Sequence, residues 1–111
     1  MKRLLTLVLV TFLLLINTFT LPANAADTVK GEQIFSVHCA GCHINGSNII
    51  RRGKNLKKQA LTKYGMNSIE AVTSIVTNGK NNMSAYKERL TEQQIQDVAA
   101  YVLQQAEKDW R

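Results

Sequence analysis

Proline and cysteine are scarce in this chain of 111 residues. The one proline, Pro22, lies near the N-terminus, and no proline follows it. The two cysteines, Cys39 and Cys42, belong to one short motif, so no second pair remains for a disulfide elsewhere. The sequence also lacks internal repeats, low-complexity tracts and the apolar–polar alternation of half-buried strands. These absences argue against a disulfide-rich scaffold, a repeat protein and a β-sheet fold.

The first 25 residues have the three parts of a secretory signal peptide. Lys2 and Arg3 form the positive region, residues 4–16 form an apolar run, and Ala23-Asn24-Ala25 matches an A-x-A cleavage site. A membrane anchor is the weaker alternative, because a spanning helix needs about 20 apolar residues. We therefore expect residues 1–25 to be removed on export. Residues 26–111 would then form one domain without a membrane anchor.

This mature chain is small and weakly basic. Its 86 residues allow only a thin core, and chains of that size usually need a staple such as a metal or a large ligand. Loss of the leader leaves 12 basic and eight acidic residues, a net charge of +4 that does not favour nucleic-acid binding. Six of the basic residues lie in residues 51–63, the basic segment, which contains no acidic residue. A docking patch for an acidic partner and an ordinary solvated face are both open interpretations of this segment.

Apolar residues at helical spacing predict an all-α fold of about four helices. The predicted stretches are residues 28–38, 56–64, 69–78 and 92–106, joined by loops at 45–55 and 79–87. Ser68 is the expected N-cap of the third stretch, and Thr91 to Gln94 fit a capping box at the fourth. Gly31 lies inside the first stretch, where glycine costs about 1 kcal/mol relative to alanine. Close approach of another helix would explain it.

The segment Cys39-Ala40-Gly41-Cys42-His43 carries the most specific chemistry of the chain. The spacing C-x-x-C-H is typical of the attachment of a c-type haem. Each thiol can add to one vinyl group, and the histidine can bind the iron from one face. The motif therefore predicts one covalently bound haem c, attached at Cys39 and Cys42 and ligated by His43. A buried haem would also supply apolar surface that the small core lacks.

Other uses of C-x-x-C fit the chain less well. A thioredoxin-type dithiol needs a preceding strand and a βαβ context, which the sequence does not suggest. A zinc site needs four ligands, and only His38 could join the three donors of the motif. A plain disulfide would leave the adjacent histidine unexplained. We interpret His38 as a surface or partly buried histidine rather than as a second haem ligand.

An electron carrier benefits from a second axial ligand, and a thioether in that position raises the reduction potential. The mature chain has two methionines, Met66 and Met83. Met83 lies in the loop between the third and fourth helical stretches, far enough from His43 for the chain to wrap around the ring. Met66 follows Gly65 at a predicted helix end, where packing is the more ordinary role. Spacing alone leaves both open.

The motif is one of four segments that together form a family pattern. The others are Tyr64-Gly65-Met66, residues 78–83 and residues 90–102. The pattern resembles cytochrome c6, the small photosynthetic branch of the class I c-type cytochromes. The resemblance implies a helical fold around one haem, with Met83 as the second axial ligand. It also implies that the first and last helices cross, with Gly31 and Phe35 against Tyr101.

The resemblance further implies a monomeric electron carrier that is not an enzyme. Its transient partners would be the cytochrome b6f complex as donor and photosystem I or a cytochrome oxidase as acceptor. Two departures from the pattern stand out: Met83-Ser84-Ala85-Tyr86 replaces Met-Pro-Ala-Phe, and residues 74–77 lack the usual glutamine. Because local polarity tunes haem potentials, a lower-potential c6-like paralogue with an auxiliary or regulatory role is the alternative.

Three further functions remain as rivals at this stage. A gas-binding or peroxidase-type haem protein would need an open sixth position, so Met83 would not bind the iron. A haem-free dithiol oxidoreductase would use the two cysteines directly. A regulatory or assembly protein would keep the haem only as a structural plug.

Overall fold

The computed structural model describes residues 1–16 and 25–111, and no strand longer than an isolated bridge occurs in these two ranges. Their helices are α1 (Lys2–Ile16), α2 (Thr28–His38), α3 (Ala40–His43), α4 (Lys58–Lys63), α5 (Ile69–Asn78) and α6 (Glu92–Glu107), with a 3₁₀ turn at Ile44–Gly46. The predicted all-α class is confirmed. The four predicted stretches correspond to α2, α4, α5 and α6, while α3 is an additional single turn formed by the motif.

The leader is only partly described. Its apolar run forms α1, whereas Ala23 and Asn24 of the predicted cleavage site lie outside the described residues. Among the helices of residues 1–16 and 25–111, none combines the length and apolar character needed to cross a bilayer. Removal of residues 1–25 stays a prediction.

Side-chain caps fix where the principal helices begin. Asp27 Oδ1 accepts the backbone N–H groups of Val29 and Lys30 at the start of α2. Ser68 caps α5, as predicted, by accepting the N–H of Ala71 at 3.2 Å. Such caps contribute about 1 kcal/mol each to helix stability because they satisfy donors that the helix cannot satisfy itself.

The capping box predicted for α6 is also present. Thr91 Oγ1 accepts the Gln94 N–H at 3.1 Å, and Gln94 Oε1 accepts the Thr91 N–H at 2.9 Å. One face of the helix that follows is buried, so α6 packs against both α2 and α5. The shared core cluster consists of Phe35, Val72, Val76, Leu90, Ile95, Val98, Ala99 and Val102.

The crossing of α2 and α6 explains the glycine inside α2. A β-carbon at Gly31 would overlap the backbone carbonyl of Asp97 and crowd the β-carbon of Tyr101. The aromatic rings of Phe35 and Tyr101 lie beside the crossing, with centroids 5.4 Å apart. The predicted close approach of the two terminal helices of the domain is therefore confirmed.

Candidate cofactor site

The C-x-x-C-H motif forms a tight turn at the end of α2. Cys39 caps α2 by donating its N–H to the Phe35 carbonyl, and its own carbonyl accepts the N–H groups of Cys42 and His43. Cys39 is half-buried and packs against the core cluster, whereas Cys42 is exposed. The two thiols are free and do not form a disulfide with each other. The turn thus places both predicted attachment residues within one short stretch of backbone.

The thiol chemistry of Cys39 does not suit a nucleophile. Burial, with a smaller contribution from the charge of Cys42, raises the pKa of Cys39 from 9.0 to about 11. Reactive cysteines in oxidoreductases instead have lowered pKa values and an electropositive environment. The zinc alternative also lacks support in the part of the chain that the structure describes, where no cluster of three or more His, Cys, Asp or Glu side chains could hold a metal ion.

His43 is oriented by a hydrogen bond on one side of its ring. Its Nδ1 lies 2.9 Å from the carbonyl oxygen of Ser47. Because a carbonyl oxygen can only accept, Nδ1 carries the proton and Nε2 keeps the lone pair that a metal requires. A carbonyl bonded to the other ring nitrogen is the usual means of orienting a metal-binding histidine. The half-buried imidazole is therefore prepared for ligation through Nε2.

The turn that provides this carbonyl depends on residues far along the chain. Asn45 and Gly46 both have positive φ, at 50° and 75°. The Gly46 carbonyl accepts the N–H of Leu56 at 2.7 Å, and the Leu56 carbonyl accepts the indole N–H of Trp110 at 2.9 Å. The Trp110 ring also covers Gly46 and lies 5.1 Å from the Phe35 ring. Sequence reasoning missed this support, for which the Asn-Gly-Ser run was the only local sign.

The loop that carries Met83 is ordered by backbone hydrogen bonds. Lys80 and Met83 exchange two N–H to carbonyl bonds of 3.0 Å each, directly after the positive φ of 68° at Gly79. Met83 is half-buried and packs against the same core cluster as Cys39. Met66, the other candidate, is also half-buried and follows α4, where its N–H donates to the Leu61 carbonyl. The structure thus brings Met83 and Cys39 to one core from distant parts of the chain.

Apolar side chains of this region are incompletely covered by protein. Ile75 and Met83 pack against the core cluster but remain only half-buried. In the loop after the motif, Ile44, Ile49 and Ile50 are 58%, 60% and 57% exposed. Exposed apolar surface of this kind is typical of a binding site. Combined with two free thiols, an imidazole and a thioether, it fits the attachment and ligation of a c-type haem.

The basic segment begins beside the motif. Ile49 donates its N–H to the Cys42 carbonyl at 3.1 Å. Asn48 then fixes the following turn, because its Oδ1 accepts the N–H groups of Ile50 and Arg51 and its Nδ2 donates to the Lys54 carbonyl. The first cations of the segment are therefore held close in the chain to the predicted attachment residue Cys42.

Two cations of the segment share one aromatic ring. Lys54 Nζ and Lys63 Nζ lie 5.2 Å and 5.5 Å from the centroid of the Tyr64 ring, which is partly exposed. Lys58 differs from them because it pairs with Glu107 at 2.8 Å. All six cations of the segment are solvent-exposed.

His38 is partly buried, as predicted. It lies at the end of α2, and its ring meets the Tyr86 ring edge-on at 5.8 Å.

Comparisons with known proteins agree with this geometry. Residues 26–102 match the family model described as cytochrome c oxidase, cbb3-type, subunit III. Over the full length of both chains, the sequence is 77% identical to a protein named cytochrome c6-like and 52% identical to one named cytochrome c6, both from Nostoc sp. strain PCC 7120. The crystal structure of cytochrome c6C from Synechococcus sp. PCC 7002 is 59% identical, with a TM-score of 0.71 over 73% of this chain and 99% of that one. The family match and both full-length alignments include the motif and the Met83 loop.

Proposed function

The chain belongs to the cytochrome c6 family, within the c-type cytochrome domain of the matched family model, and we propose that it passes single electrons from the cytochrome b6f complex to photosystem I or a cytochrome oxidase. As a member of this family it is a monohaem electron carrier with one covalently bound haem c. The finer part of the proposal concerns the residues that hold the haem, the partners and the compartment.

Four side chains would hold the haem. Cys39 and Cys42 would anchor it by thioether bonds, while His43 Nε2 and the Met83 thioether would bind the iron. The haem supplies a reversible one-electron change of the iron between the ferrous and ferric states. The observation that carries this assignment is that Cys39 and Met83 pack against one core cluster, next to a histidine whose Nδ1 is already engaged by Ser47.

The protein itself would keep the ligand set unchanged during transfer. The Ser47 carbonyl holds the imidazole in one tautomer, and the paired bonds of Lys80 and Met83 fix the loop that bears the thioether. With both axial positions filled, no position would be free for a substrate. This supports a carrier that is not an enzyme, because electron transfer needs no bond to form or break.

The partner surface we propose combines the exposed isoleucines after the motif with the basic segment. Ile49 and Ile50 are more than half exposed and directly precede Arg51 and Arg52. A small apolar contact next to the site would give a short-lived complex. The exposed cations would raise the rate of encounter with an acidic partner. We infer that the partner contributes carboxylates opposite this segment, that the carrier acts as a monomer and that it does not bind nucleic acid.

The compartment follows from the leader. The apolar run in α1 and the A-x-A site support export and cleavage after Ala25 into a thylakoid lumen or periplasm.

The alternative of a lower-potential paralogue concerns residues 74–77. Val76 is buried and Ile75 is half-buried in this stretch. The 77% identity to a protein named cytochrome c6-like is consistent with a c6-like branch, but the comparisons do not favour an auxiliary or regulatory role. A redox titration of the holoprotein distinguishes the two, because a potential well below that of a photosystem I donor would support the alternative.

The test uses matured holoprotein. Haem staining after denaturing electrophoresis checks covalent attachment, which a haem-free dithiol protein would fail. Reduced holoprotein is then mixed with photosystem I particles and, separately, with oxidase-containing membranes, and oxidation of its haem bands is followed. We expect oxidation whose rate increases with carrier concentration, and no spectral change when carbon monoxide is added. Ready carbon monoxide binding, or no oxidation by either acceptor, would contradict the carrier function.

A further inference from the structure

Tyr86 connects three parts of the domain that surround the proposed haem ligands. Its N–H donates to the Val76 carbonyl in α5 at 2.9 Å, and its ring packs against the core cluster. Its hydroxyl donates to the His38 carbonyl at 2.9 Å, across 48 positions of sequence. His38 directly precedes Cys39, and Tyr86 lies three positions after Met83. One side chain therefore joins the Met83 loop to the backbone that leads into the motif.

From this contact we infer that Tyr86 is a positioning residue, whose hydroxyl holds the Met83 loop against the end of α2. The inference rests on the proposed function only in taking Met83 as the ligand that the loop presents. The hydroxyl has a suitable acceptor, because the carbonyls in the last turn of a helix have no intrahelical partner. A partly buried hydrogen bond of this kind is shielded from competing water and restrains both segments that it joins.

The neighbouring sequence explains why this loop needs such a restraint. Residues 84–86, which follow Met83 in the loop, include no proline. Proline fixes φ near −65°, so its absence leaves the loop with more conformational freedom. A phenylalanine at position 86 would offer no donor to the His38 carbonyl. The hydroxyl thus restrains a loop that no proline ring stiffens.

A second contact keeps the Tyr86 side chain in place. The Arg89 guanidinium lies 4.8 Å from the centroid of the Tyr86 ring, while the His38 ring meets it edge-on. Contacts on the ring limit the rotamers open to Tyr86, so the hydroxyl stays directed at its acceptor. Tyr86→Phe removes the hydroxyl and leaves these ring contacts, which makes it the smallest change that tests the inference.

The first test measures the motion of the loop itself. Amide hydrogen exchange of Lys80 and Met83, whose N–H groups bond to each other's carbonyls, is followed by NMR in the reduced holoprotein. We expect Tyr86→Phe to accelerate both amides about fivefold, as the loss of one ordinary hydrogen bond predicts. Tyr64→Phe is the matched control, because within residues 1–16 and 25–111 no hydrogen bond is formed by the Tyr64 hydroxyl. Equal exchange rates in Tyr86→Phe and the unchanged protein would contradict the inference that the Tyr86 hydroxyl holds the Met83 loop.

The second test measures the consequence for the ligand. Imidazole competes for the sixth position of the ferric haem, so we expect Tyr86→Phe to bind imidazole about fivefold more tightly while Tyr64→Phe does not. The weakening of the methionine–iron band near the red end of the spectrum follows the same displacement. Faster loop exchange without any change in imidazole affinity would still support the role of the Tyr86 hydroxyl in holding the loop. It would contradict Met83 as the ligand, and hence the proposed function.

Discussion

The indole ring of Trp110 lies directly against Gly46, in a position that leaves no room for a β-carbon. Gly46 has a φ of 75°, and the turn that it forms carries the Ser47 carbonyl that orients His43. A residue that follows α6 thus supports the first proposed iron ligand. The two are joined through the Leu56 backbone, which bonds to both Gly46 and Trp110.

Gly46→Ala should therefore weaken both the fold and the orientation of His43. Left-handed backbone is unfavourable for alanine and the new methyl group overlaps Trp110, so we expect the free energy of unfolding to fall by at least about 2 kcal/mol. Denaturant unfolding followed by the haem absorbance measures this loss. Gly53→Ala is the control, because the nearest atom to its β-carbon is the Tyr64 hydroxyl at 4.0 Å, and it should change stability by less than about 0.5 kcal/mol. Similar losses for both variants would contradict the proposed support.

Met83→Ala and Met66→Ala separate the proposed thioether ligand from a packing methionine. Without the Met83 thioether the sixth position opens, so the methionine–iron band should disappear and the reduced protein should bind carbon monoxide. Met66→Ala should retain the band and remain inert to carbon monoxide, although loss of a half-buried side chain lowers its stability. Absorption spectra of the two purified holoproteins decide between them. A band that survives in Met83→Ala would exclude Met83 as the ligand.

Charge removal in the basic segment should slow encounter with an acidic partner. We expect the triple variant of Arg51, Arg52 and Lys54, each changed to glutamine, to lower the second-order rate with the accepting complex about tenfold at low salt. The difference should shrink as ionic strength rises, because salt screens exposed charges over about 10 Å at 0.1 M. Stopped-flow mixing over a range of salt concentrations provides the measurement.

The controls for this prediction are a distant charge and a neutral reductant. Lys30→Gln removes one exposed charge from α2 and should leave the rate nearly unchanged. Reduction by a small uncharged reagent should proceed at the same rate in every variant, since it needs no docking surface. If the triple variant and the unchanged protein respond identically to salt, the basic segment is an ordinary solvated surface.

The parts of the fold that follow from local chemistry could be predicted from the sequence. The helix starts at Ser68 and Thr91 could be predicted because each of these capping side chains accepts a backbone N–H only three residues later. The haem could be predicted for a similar reason, because the two thiols and the histidine of its attachment motif all lie within residues 39–43. Gly31 indicated a helix crossing, because glycine destabilises a helix interior. The close approach of α6 explains why glycine is needed there.

The contacts that could not be predicted from the sequence join residues that lie far apart along the chain. The Tyr86 hydroxyl meets the His38 carbonyl across 48 positions, and the Asp97 carboxylate meets the Asp27 N–H across 70. Neither partner has a local pattern that points to the other. Trp110 likewise reaches the distant Gly46 after a turn in which Asp109 and Trp110 both have positive φ, at 55° and 57°.

Asp97 lies within α6 and is only 2% exposed, although it is an acidic residue. Its Oδ1 accepts the Asp27 N–H at 2.8 Å and the Gln93 side-chain amide at 2.9 Å. Asp97→Ala leaves both donors without this acceptor, so we expect the free energy of unfolding to fall by about 1–3 kcal/mol. Asp97→Asn keeps an oxygen that can accept from Asp27 and should lose less.

Chemical unfolding of the holoprotein measures these losses, with Glu88→Ala as the control for removing an exposed acid. Amide exchange at Asp27 locates the effect, since a freed N–H at the start of α2 should exchange faster in Asp97→Ala than in Asp97→Asn. Because Asp97 also lies at the Gly31 crossing, loosening of this bond should reach the α2–α6 interface without altering the haem spectrum. Equal stability of Asp97→Ala and Glu88→Ala would mean that the buried carboxylate does not hold α2 in place.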